Sequence, residues 1–485
     1  MRAGWEVVIG LEVHAQLSTR SKLFSVAPTS PAEHPNEHVT ALCLGLPGAL
    51  PRLNGEAVRL AIRAGLGLEC TIRPFVEMAR KSYFYADLPK GYQISQHDLP
   101  LCHDGVLRFP LDDAAQTLEI ERIHIEEDAG KSVHDAIAGA TVIDLNRAGV
   151  PLIEIVSRPG LRSAEAAVAA FAELRLLLMH LGVCDGSLES GSMRCDANVS
   201  VRPTGEQGLR TRCELKNLNS LRALRDAIRS EASRQVEAYL AGEQVEQQTR
   251  LWDADAGRTR AMRGKEDAAD YRYMPDPDLP RLQVPAGWVD AERDDLAPCP
   301  FVLRTMLRDA LALDPDAVDL LLESPEILRA MLPLLEKDRE AAKAFATFIF
   351  GPVAGALRRR ERDLSARLDA LSAWYEVFQR WRSGALSNKM LSEVLDAGAA
   401  STDAGSAPWT KALEAAGTTL SDPSALIPLI SGLLAAHPAE VAEYRSGKQK
   451  LFGFFMGQAM RQTQGKADAA MLRTLLQEAL VGEGS

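Results

Sequence analysis

The chain has 485 residues, of which 46% are hydrophobic and 25% are charged, and its formal net charge is −11. This length allows about two to four domains with substantial cores, and the acidic balance argues against a general nucleic-acid binder. The sequence has no run of about 18 apolar residues and no secretory signal pattern. Its seven cysteines form no C-x-x-C pair. We therefore expect a cytoplasmic protein with free thiols and no membrane span.

The first part of the chain, to about residue 293, mixes predicted strands with predicted helices. Apolar and polar residues alternate over residues 5–17, which predicts a strand. Ser163 is a typical helix N-cap and Gly182 a typical helix end, so we expect a helix between them and a second helix over residues 220–241. Further strands are predicted at residues 107–110, 117–125 and 150–156.

From about residue 295 the pattern changes to helices alone. Residues 399–408, AASTDAGSAP, are small and polar and predict a linker before a last helical stretch. Residues 441–475 hold six basic and two acidic side chains, a net charge of +4, and four arginines crowd residues 358–362. Whole-chain charge therefore does not decide whether the protein binds RNA. The clearest helices are predicted at residues 325–335, 339–350 and 364–382.

Three consecutive acids, Glu126, Glu127 and Asp128, end one alternating run. Buried carboxylates need partners, so such a cluster at a strand end indicates a divalent cation. The following G-K-S is not a P-loop, because Ile125 stands where the first glycine would be. Glu126 and Glu127 point to opposite faces if the strand continues, and the sequence does not choose between them. A solvated acidic turn is the alternative.

Two other places in the sequence could supply metal ligands. Glu12 and His14 are two residues apart on a predicted strand, so both side chains leave the same face and could meet one cation. A polar strand edge is the alternative. Glu154 lies between two isoleucines in a predicted buried strand, and a buried carboxylate needs a cation or hydrogen-bond donors. The alternative for Glu154 is a buried ion pair with an arginine such as Arg147.

Several loops combine cations with glycine turns or aromatic residues. The segments around Lys81 and Lys90 could hold phosphate through lysine and backbone N–H groups, although a structural turn fits the same composition. No segment resembles a Ser-His-Asp or Cys-His nucleophile arrangement. Two more polar segments are weak signals alone and contain Arg194, Asp196, Lys216 and Asn217.

Taken together, these segments resemble the B subunit of the tRNA-dependent amidotransferases, the GatB/GatE family, over essentially the whole chain. The C-terminal YRSGKQKLFGFFMGQAMRQTQGKA resembles the tail that this family shares with YqeY-type proteins. The stretches that carry the resemblance are VIGLEVHAQLSTRSKLFS, RKSYFYADLPKGYQISQ, IHIEEDAGKSVHD, DLNRAGVPLIEIVS, GSMRCDANVSVRP, ELKNLNS and DYRYMPDPDLP.

The resemblance implies a carbon–nitrogen ligase that takes its amido nitrogen from glutamine. Mischarged Glu-tRNA(Gln) or Asp-tRNA(Asn) would be phosphorylated by ATP on the side-chain carboxylate and then amidated. The ammonia would come from an A subunit through a channel, in a complex that also has a C subunit and that could meet a non-discriminating synthetase. Phosphoryl transfer between anions calls for Mg²⁺. The sequence leaves open which tRNA is the substrate.

The resemblance also implies roles for particular residues. Catalytic roles fall to Lys81, Lys90, Glu126, Glu127 and Asp196, with Lys81 and Asp196 on the ammonia route. Contacts with ATP or the acyl phosphate fall to Lys90, Arg194, Lys216 and Asn217. The implied metal ligands are Glu12, His14, Glu127 and Glu154, with Glu126 as the substitute for Glu127.

The sequence departs from the family pattern in two respects. Some members carry cysteines near positions 25, 27, 40 and 43, but here only Cys43 is present, and one thiol cannot form a structural zinc site, so we expect no zinc. Ala86, Arg158 and Gly160 also differ from the usual residues.

The expected fold class is α+β, with three domains. Residues 1–293 would form a mixed α/β, kinase-like catalytic cradle, residues 294–405 an all-α helical domain, and residues 406–485 an all-α YqeY-like tail that binds tRNA through phosphate contacts. One rival interpretation is a stand-alone carboxylate–amine ligase that uses free ammonia. Another is an RNA-binding scaffold in which the acids are structural.

Overall fold

The computed structural model describes residues 2–112, 114–137, 139–264, 271–420, 422–463 and 465–481. The chain divides into two compact units, Met1–Leu303 and Arg304–Ser485. The first is a mixed α/β unit with a large sheet, and the second is helical. This confirms the coarse α+β expectation.

The strands of the first unit include the four that the sequence predicted: β6 and β7 are longer than predicted, whereas β1 and β10 agree with the prediction to within one residue at each end. In chain order the strands are β1 Trp5–Gln16, β2 Thr71–Ile72, β3 Phe75–Val76, β4 Ala79–Ser82, β5 Tyr92–Ser95, β6 Cys102–Leu111, β7 Ala114–Glu127, β8 Lys131–Ile137, β9 Ala140–Asp144, β10 Pro151–Ser157, β11 Met193–Pro203, β12 Cys213–Lys216, β13 Gln248–Asp253, β14 Arg258–Gly264, β15 Met274–Pro275 and β16 Leu282–Gln283.

The two long predicted helices of the first unit begin at serine N-caps. The Ser163 hydroxyl accepts a hydrogen bond from the Ala166 N–H, and the Ser220 hydroxyl accepts one from the Ala223 N–H. Gly182 follows the first of these helices at a φ of +66°, a left-handed conformation that favours glycine. The helices that begin in the first unit are α1 Gly55–Gly67, α2 Ala164–His180, α3 Leu221–Leu240, α4 Ala286–Asp294 and α5 Pro300–Thr305, of which the last ends in the second unit.

Nine strands form one sheet in the order β14-β13-β12-β11-β1-β10-β7-β6-β2. Strand β1 lies between β10 and β11 and is antiparallel to both. The register aligns one residue from each of four strands in a single row across the sheet, in the order Arg194, His14, Glu154 and His124. Because paired residues point to the same face, this row places polar side chains from distant parts of the chain side by side.

The two faces of these central strands differ in chemistry. Val13, Ile125 and Ile155 are fully buried in the main hydrophobic core, which also contains apolar residues of α1, α2 and α3. The neighbouring residues His14, Glu126 and Glu154 alternate with them and so point to the opposite face. The alternation of these strands therefore separates a packed apolar core from a polar site.

The second unit consists of helices and short irregular helical turns. The predicted helix at 339–350 is broken into a 3-10 turn, Arg339–Ala341, a short α-helix and a π-helical turn, Ile349–Val353. The segment 364–382 likewise begins with a 3-10 turn, Ser365–Ala370. The α-helices are α6 Pro315–Leu322, α7 Pro325–Lys337, α8 Ala342–Phe348, α9 Ala354–Arg358, α10 Leu371–Arg382, α11 Asn388–Ala400, α12 Ala407–Ala416, α13 Pro423–Ala436, α14 Pro438–Arg445, α15 Leu451–Gln462 and α16 Ala469–Val481.

The linker predicted at residues 399–408 is present but shorter, because only residues 401–406 lie between two helices. Helix α11 continues to Ala400, and α12 begins at Ala407. The Trp409 ring is fully buried, packs edge-to-face on Trp374 with ring centroids 5.5 Å apart, and lies against Gly398. Small residues are typical of flexible chain, but here they allow a tryptophan to pack closely against a neighbouring helix.

The tail helices α13, α15 and α16 share a separate apolar cluster that includes Leu426, Phe455, Leu472 and Leu476. Among the described residues no single helix is long and apolar enough to cross a membrane; α13 and α14 reach the necessary length only together, and they are bent by 92° at their junction.

Candidate active site

Two histidines and two glutamates meet on the polar face of the central strands. His14 Nε2 lies 3.3 Å from Glu154 Oε2 and 3.6 Å from Glu126 Oε1. From the next strand but one, His124 Nε2 lies 3.5 Å from the same oxygen of Glu154 and 3.7 Å from Glu126 Oε2. We call His14, His124, Glu126 and Glu154 the acid–histidine cluster.

The cluster is electrostatically coupled. Burial opposes the charge on His14, but its hydrogen bond to Glu154 and the charges of Glu154 and Glu126 outweigh this and raise the pKa of His14 to about 9. Burial also disfavours ionised Glu154, yet the two histidines and Lys81 lower its pKa. Glu126 behaves similarly: its pKa is lowered by the hydrogen bond from His124 and by nearby cations in spite of burial.

The cluster contains a set of atoms that could hold a metal ion. Ligand atoms of His14, Glu126 and Glu154 all lie within 4.8 Å of one another, and a second such set joins Glu12 and Asp196 to His14. Carboxylate oxygens supplemented by one imidazole fit a small divalent cation that keeps part of its water shell. The donor chemistry therefore fits the expected Mg²⁺. Burial and the charge of Glu154 raise the pKa of Glu12, although His14 and Lys216 act in the opposite direction.

The assignment of Glu127 to this cluster needs correction. Glu127 lies on the other face of β7, where Lys90 forms an ion pair with its Oε1, and the Ile94 N–H donates to the same oxygen at 2.9 Å. Both side chains of the pair are buried. Because successive strand residues face opposite sides, only Glu126 can join His14 and Glu154. Glu126, the expected substitute, is the residue that the structure places there.

Lys90 is consequently also separate from the cluster. It lines a small pocket with Glu127 and Cys43, whereas the other predicted site residues surround two larger cavities. The arginine that contacts Glu154 is Arg122, at 3.8 Å, and not Arg147, whose Nε lies 3.5 Å from Asp128. Glu154 also contacts the two histidines, so an ion pair with an arginine is only part of its environment.

Two cavities adjoin the acid–histidine cluster. The first, of about 730 Å³, is lined by Glu12, His124 and Glu154, and we call it the Arg73 cavity because Arg73 also lines it. The second, of about 1240 Å³, is lined by His14, Glu126, Arg194 and Asn217, and we call it the Arg194 cavity. Lys81 and Lys216 line both. These two cations therefore stand at the boundary between the cavities.

Both boundary lysines remain protonated. Burial disfavours charged Lys81, but Glu126 and Glu154 raise its pKa, and its Nζ lies 4.8 Å from the centre of the Tyr271 ring. Lys216 Nζ donates to Asp196 at 2.7 Å, and Asp196 and Glu214 likewise raise the pKa of Lys216 against the effect of burial. Neither lysine can act as a general base near neutral pH.

The remaining predicted residues line the Arg194 cavity. Arg194 Nη2 donates to both carboxylate oxygens of Asp128, at 3.1 and 2.9 Å. Asn217 has a left-handed backbone, at a φ of +65°, and its side-chain NH₂ donates to the Trp252 carbonyl. Sequence reasoning did not select Asp128 as the partner of Arg194, nor His124, which shares the even-numbered face of β7 with Glu126. That shared spacing was the available signal for His124.

The chain thus consists of a large mixed sheet, which carries this site, followed by a helical region. Residues 7–290 match the family model described as the GatB/GatE catalytic domain, and residues 333–480 match the model described as the GatB domain. The chain therefore belongs to the GatB/GatE family.

Curated relatives are similar over their whole length. The chain is 47% identical to the B subunit of the aspartyl/glutamyl-tRNA(Asn/Gln) amidotransferase of Anaeromyxobacter sp. (strain K), covering 98% of this chain and 99% of the relative. The corresponding amidotransferase subunits of Oleidesulfovibrio alaskensis and Bordetella pertussis are 44% and 45% identical, with at least 98% of each chain covered.

Proposed function

We propose that this chain is the B subunit of a tRNA-dependent amidotransferase and carries its carboxylate-activating site. The substrate is Glu-tRNA(Gln), Asp-tRNA(Asn) or both. ATP phosphorylates the side-chain carboxylate of the esterified amino acid. Ammonia then attacks the acyl carbon, the bond from that carbon to the phosphate oxygen breaks, and the released phosphate takes up the proton that the nitrogen loses. The family membership supports the reaction class, and the acid–histidine cluster beside two cavities is the observation that carries the assignment of the site.

The residues of the cluster suit this chemistry in a specific way. His14, Glu126 and Glu154 would hold Mg²⁺, assisted by Glu12 and Asp196 from the adjoining set. When bound, Mg²⁺ screens the charge on the phosphate oxygens. Lys81 and Lys216 stay protonated at the boundary between the cavities, where they balance the negative charge of the acyl phosphate.

The partners follow from the reaction. The acyl phosphate must be kept from water, which favours ammonia delivered through a channel from a glutaminase A subunit, in a complex with a C subunit. Lys81 and Asp196 are the residues we assign to that route. The reaction belongs in the cytoplasm. The three-domain division, the kinase-like character of the first domain and the expected lack of zinc remain predictions.

The tail is proposed to bind the body of the tRNA. Lys450, Arg461 and Arg473 are exposed, and contacts from such residues to phosphates weaken as salt rises. Replacing Arg461 and Arg473 with glutamine should raise the KM for the charged tRNA and flatten its salt dependence, without changing glutamine hydrolysis by the complex. An unchanged KM would contradict this role.

The function is tested by single-turnover amidation with the complex of this chain with A and C subunits. Mg-ATP, glutamine and labelled Glu-tRNA(Gln) or Asp-tRNA(Asn) are supplied, and conversion to the amide also identifies the substrate. Glu12→Gln should abolish amidation but leave glutamine binding to the A subunit intact, whereas Glu243→Gln, at an exposed position, should behave like the wild type.

The rival interpretations give different results. Amidation of free amino acids by this chain with ammonia alone would favour a stand-alone ligase. No conversion of either tRNA, with glutamine hydrolysis intact and no binding of Mg²⁺ or ATP, would favour an RNA-binding scaffold.

A further inference from the structure

Lys22 is a buried lysine that contacts a thiol instead of a carboxylate. It is 1% exposed, and its Nζ donates to the carbonyl oxygens of His38 and Leu145, at 2.5 and 3.1 Å. The third acceptor is Cys43 Sγ, at 3.5 Å. Among the described residues no carboxylate forms an ion pair with Lys22. A buried ammonium group normally has an anionic partner, and of these three contacts only Cys43 can become an anion.

The thiol of Cys43 differs from the other buried thiols. Burial raises the pKa of the others, which are Cys70, Cys102, Cys184, Cys195 and Cys213. Burial acts in the same direction on Cys43, but hydrogen bonding with Thr40, whose hydroxyl oxygen lies 3.5 Å from the sulfur, and the charge of Lys22 lower its pKa. Burial also lowers the pKa of Lys22, although Cys43 opposes this. The pair therefore combines a favoured thiolate with an amine that loses its proton more easily than usual.

Both groups border a small cavity, so the thiol is not sealed in the core. The cavity has a volume of about 20 Å³ and is lined by Lys22 and Cys43. It has room for one molecule little larger than water. Glu127 lines it too, but Glu127 pairs with Lys90 and not with Lys22. Because Cys43 is only 8% exposed, this cavity admits a small oxidant and excludes bulky reagents.

We propose that hydrogen peroxide converts this pair into a reversible cross-link, with a covalent bond between Cys43 Sγ and Lys22 Nζ. The thiolate attacks one peroxide oxygen and the O–O bond breaks. The released hydroxide takes a proton from the Lys22 ammonium group, which leaves a sulfenic acid, a neutral amine and water. The amine nitrogen then attacks the sulfur, the S–O bond breaks, and the departing hydroxide takes up the proton that the nitrogen loses. Sulfur gives up two electrons, and peroxide is reduced to two molecules of water.

The cross-link has a consequence that can be measured on the folded chain. Lys22 and Cys43 both lie in the segment between β1 and α1. The new bond closes a loop within this segment and so restricts the unfolded chain more than the folded one. The oxidised chain should therefore unfold at a higher temperature than the reduced chain, and a small thiol that attacks the sulfur should reverse the change. This inference is independent of the proposed function, because the pocket is separate from the acid–histidine cluster.

Mass spectrometry of the full chain after treatment with hydrogen peroxide tests the proposal without a substitution. We expect a proteolytic fragment in which Lys22 is joined to Cys43, lighter by two hydrogen atoms than the two separate peptides, and dithiothreitol should separate them. Cys299 is the matched control, because it is more exposed than Cys43 but has no such partner in the proposal. Cys43 should react about tenfold faster than Cys299 or more.

Two variants and thermal unfolding complete the test. Lys22→Arg keeps the positive charge but lacks the primary amine, so its Cys43 should gain oxygen atoms and form no cross-link. Peroxide should raise the unfolding temperature of the wild type but not that of Cys43→Ser, which checks the proposal even if Lys22→Arg fails to fold. An oxidised wild type that carries only oxygen atoms on Cys43 would overturn the proposal. Faster oxidation of Cys299 than of Cys43 would also overturn it.

Discussion

The two faces of strands β1, β7 and β10 are both largely buried, but they accommodate burial differently. On one face Val13, Ile125 and Ile155 pack into the apolar core. On the other, His14 and Glu154 occupy positions next to these residues in the chain and must compensate one another's charge. Burying ionisable groups is unfavourable, and apolar residues would serve stability alone better. The comparison teaches that the apolar face serves the fold, whereas the polar face costs stability, which is consistent with the proposed metal site.

The largest expected effect is a loss of stability at Glu127, which follows Glu126 in the chain and points to the opposite face of β7. Lys90→Met would leave the Glu127 carboxylate buried without its ion-pair partner. We expect the free energy of unfolding to fall by about 3–5 kcal/mol, measured by urea denaturation of the chain. Adding Glu127→Gln to this variant should recover much of the loss. If Lys90→Met is as stable as the wild type, this face does not have the structural role assigned to it.

The next prediction compares two neighbouring residues of β10, one of which should affect the amidation rate and the other the stability. Glu154→Gln should lower the single-turnover amidation rate about 100-fold or more, because the carboxylate belongs to the proposed metal site. The matched control is its neighbour: Ile155→Val should cost about 0.5–1.5 kcal/mol of stability and keep nearly the full rate. A similar loss of rate in both variants would remove the distinction between the two faces.

The smallest effect is a pH dependence that arises from His14. Its pKa is about 9 in the folded protein and about 6.5 in an unfolded chain. The stability that its proton contributes is therefore fully present below about pH 6.5 and is lost as the pH rises through about 9. In metal-free buffer the stability advantage of the wild type over His14→Gln should shrink by about 1–3 kcal/mol between pH 6.5 and pH 9.5. An advantage that stays constant would show that His14 is not protonated in the cluster.

Local patterns predicted much of the fold. The N-cap at Ser163 and the alternation in β1 depend on neighbouring residues only, and both are confirmed. The linker predicted at residues 399–408 is shorter than expected, because the flanking helices extend into it and Trp409 packs against Gly398 and Trp374, which composition does not reveal. Tertiary contacts overrode local propensity at that point.

The site was predictable to a lesser extent, for a related reason. Spacing placed Glu12 with His14. The choice between Glu126 and Glu127 depended on which of the two side chains points to the same face of the sheet as Glu154, and that is a property of the register between β7 and β10. Arg73 and Gln96 were missed altogether. Gln96 lines the Arg73 cavity, and its oxygen accepts hydrogen bonds from the N–H groups of Leu101 and Ile125, while its nitrogen has no hydrogen-bond partner among the described residues. No sequence pattern encodes that arrangement.

The central claim, that the polar face holds a divalent cation, is tested most directly by Mn²⁺ titration of the assembled, metal-free complex, with Mn²⁺ in place of Mg²⁺ as a spectroscopic probe. The wild type is compared with Glu126→Gln and with the double variant Lys90→Met, Glu127→Gln. We predict one site in the wild type, its loss in Glu126→Gln, and its retention in the double variant. Equal retention in both variants, or loss only in the double variant, would contradict the account.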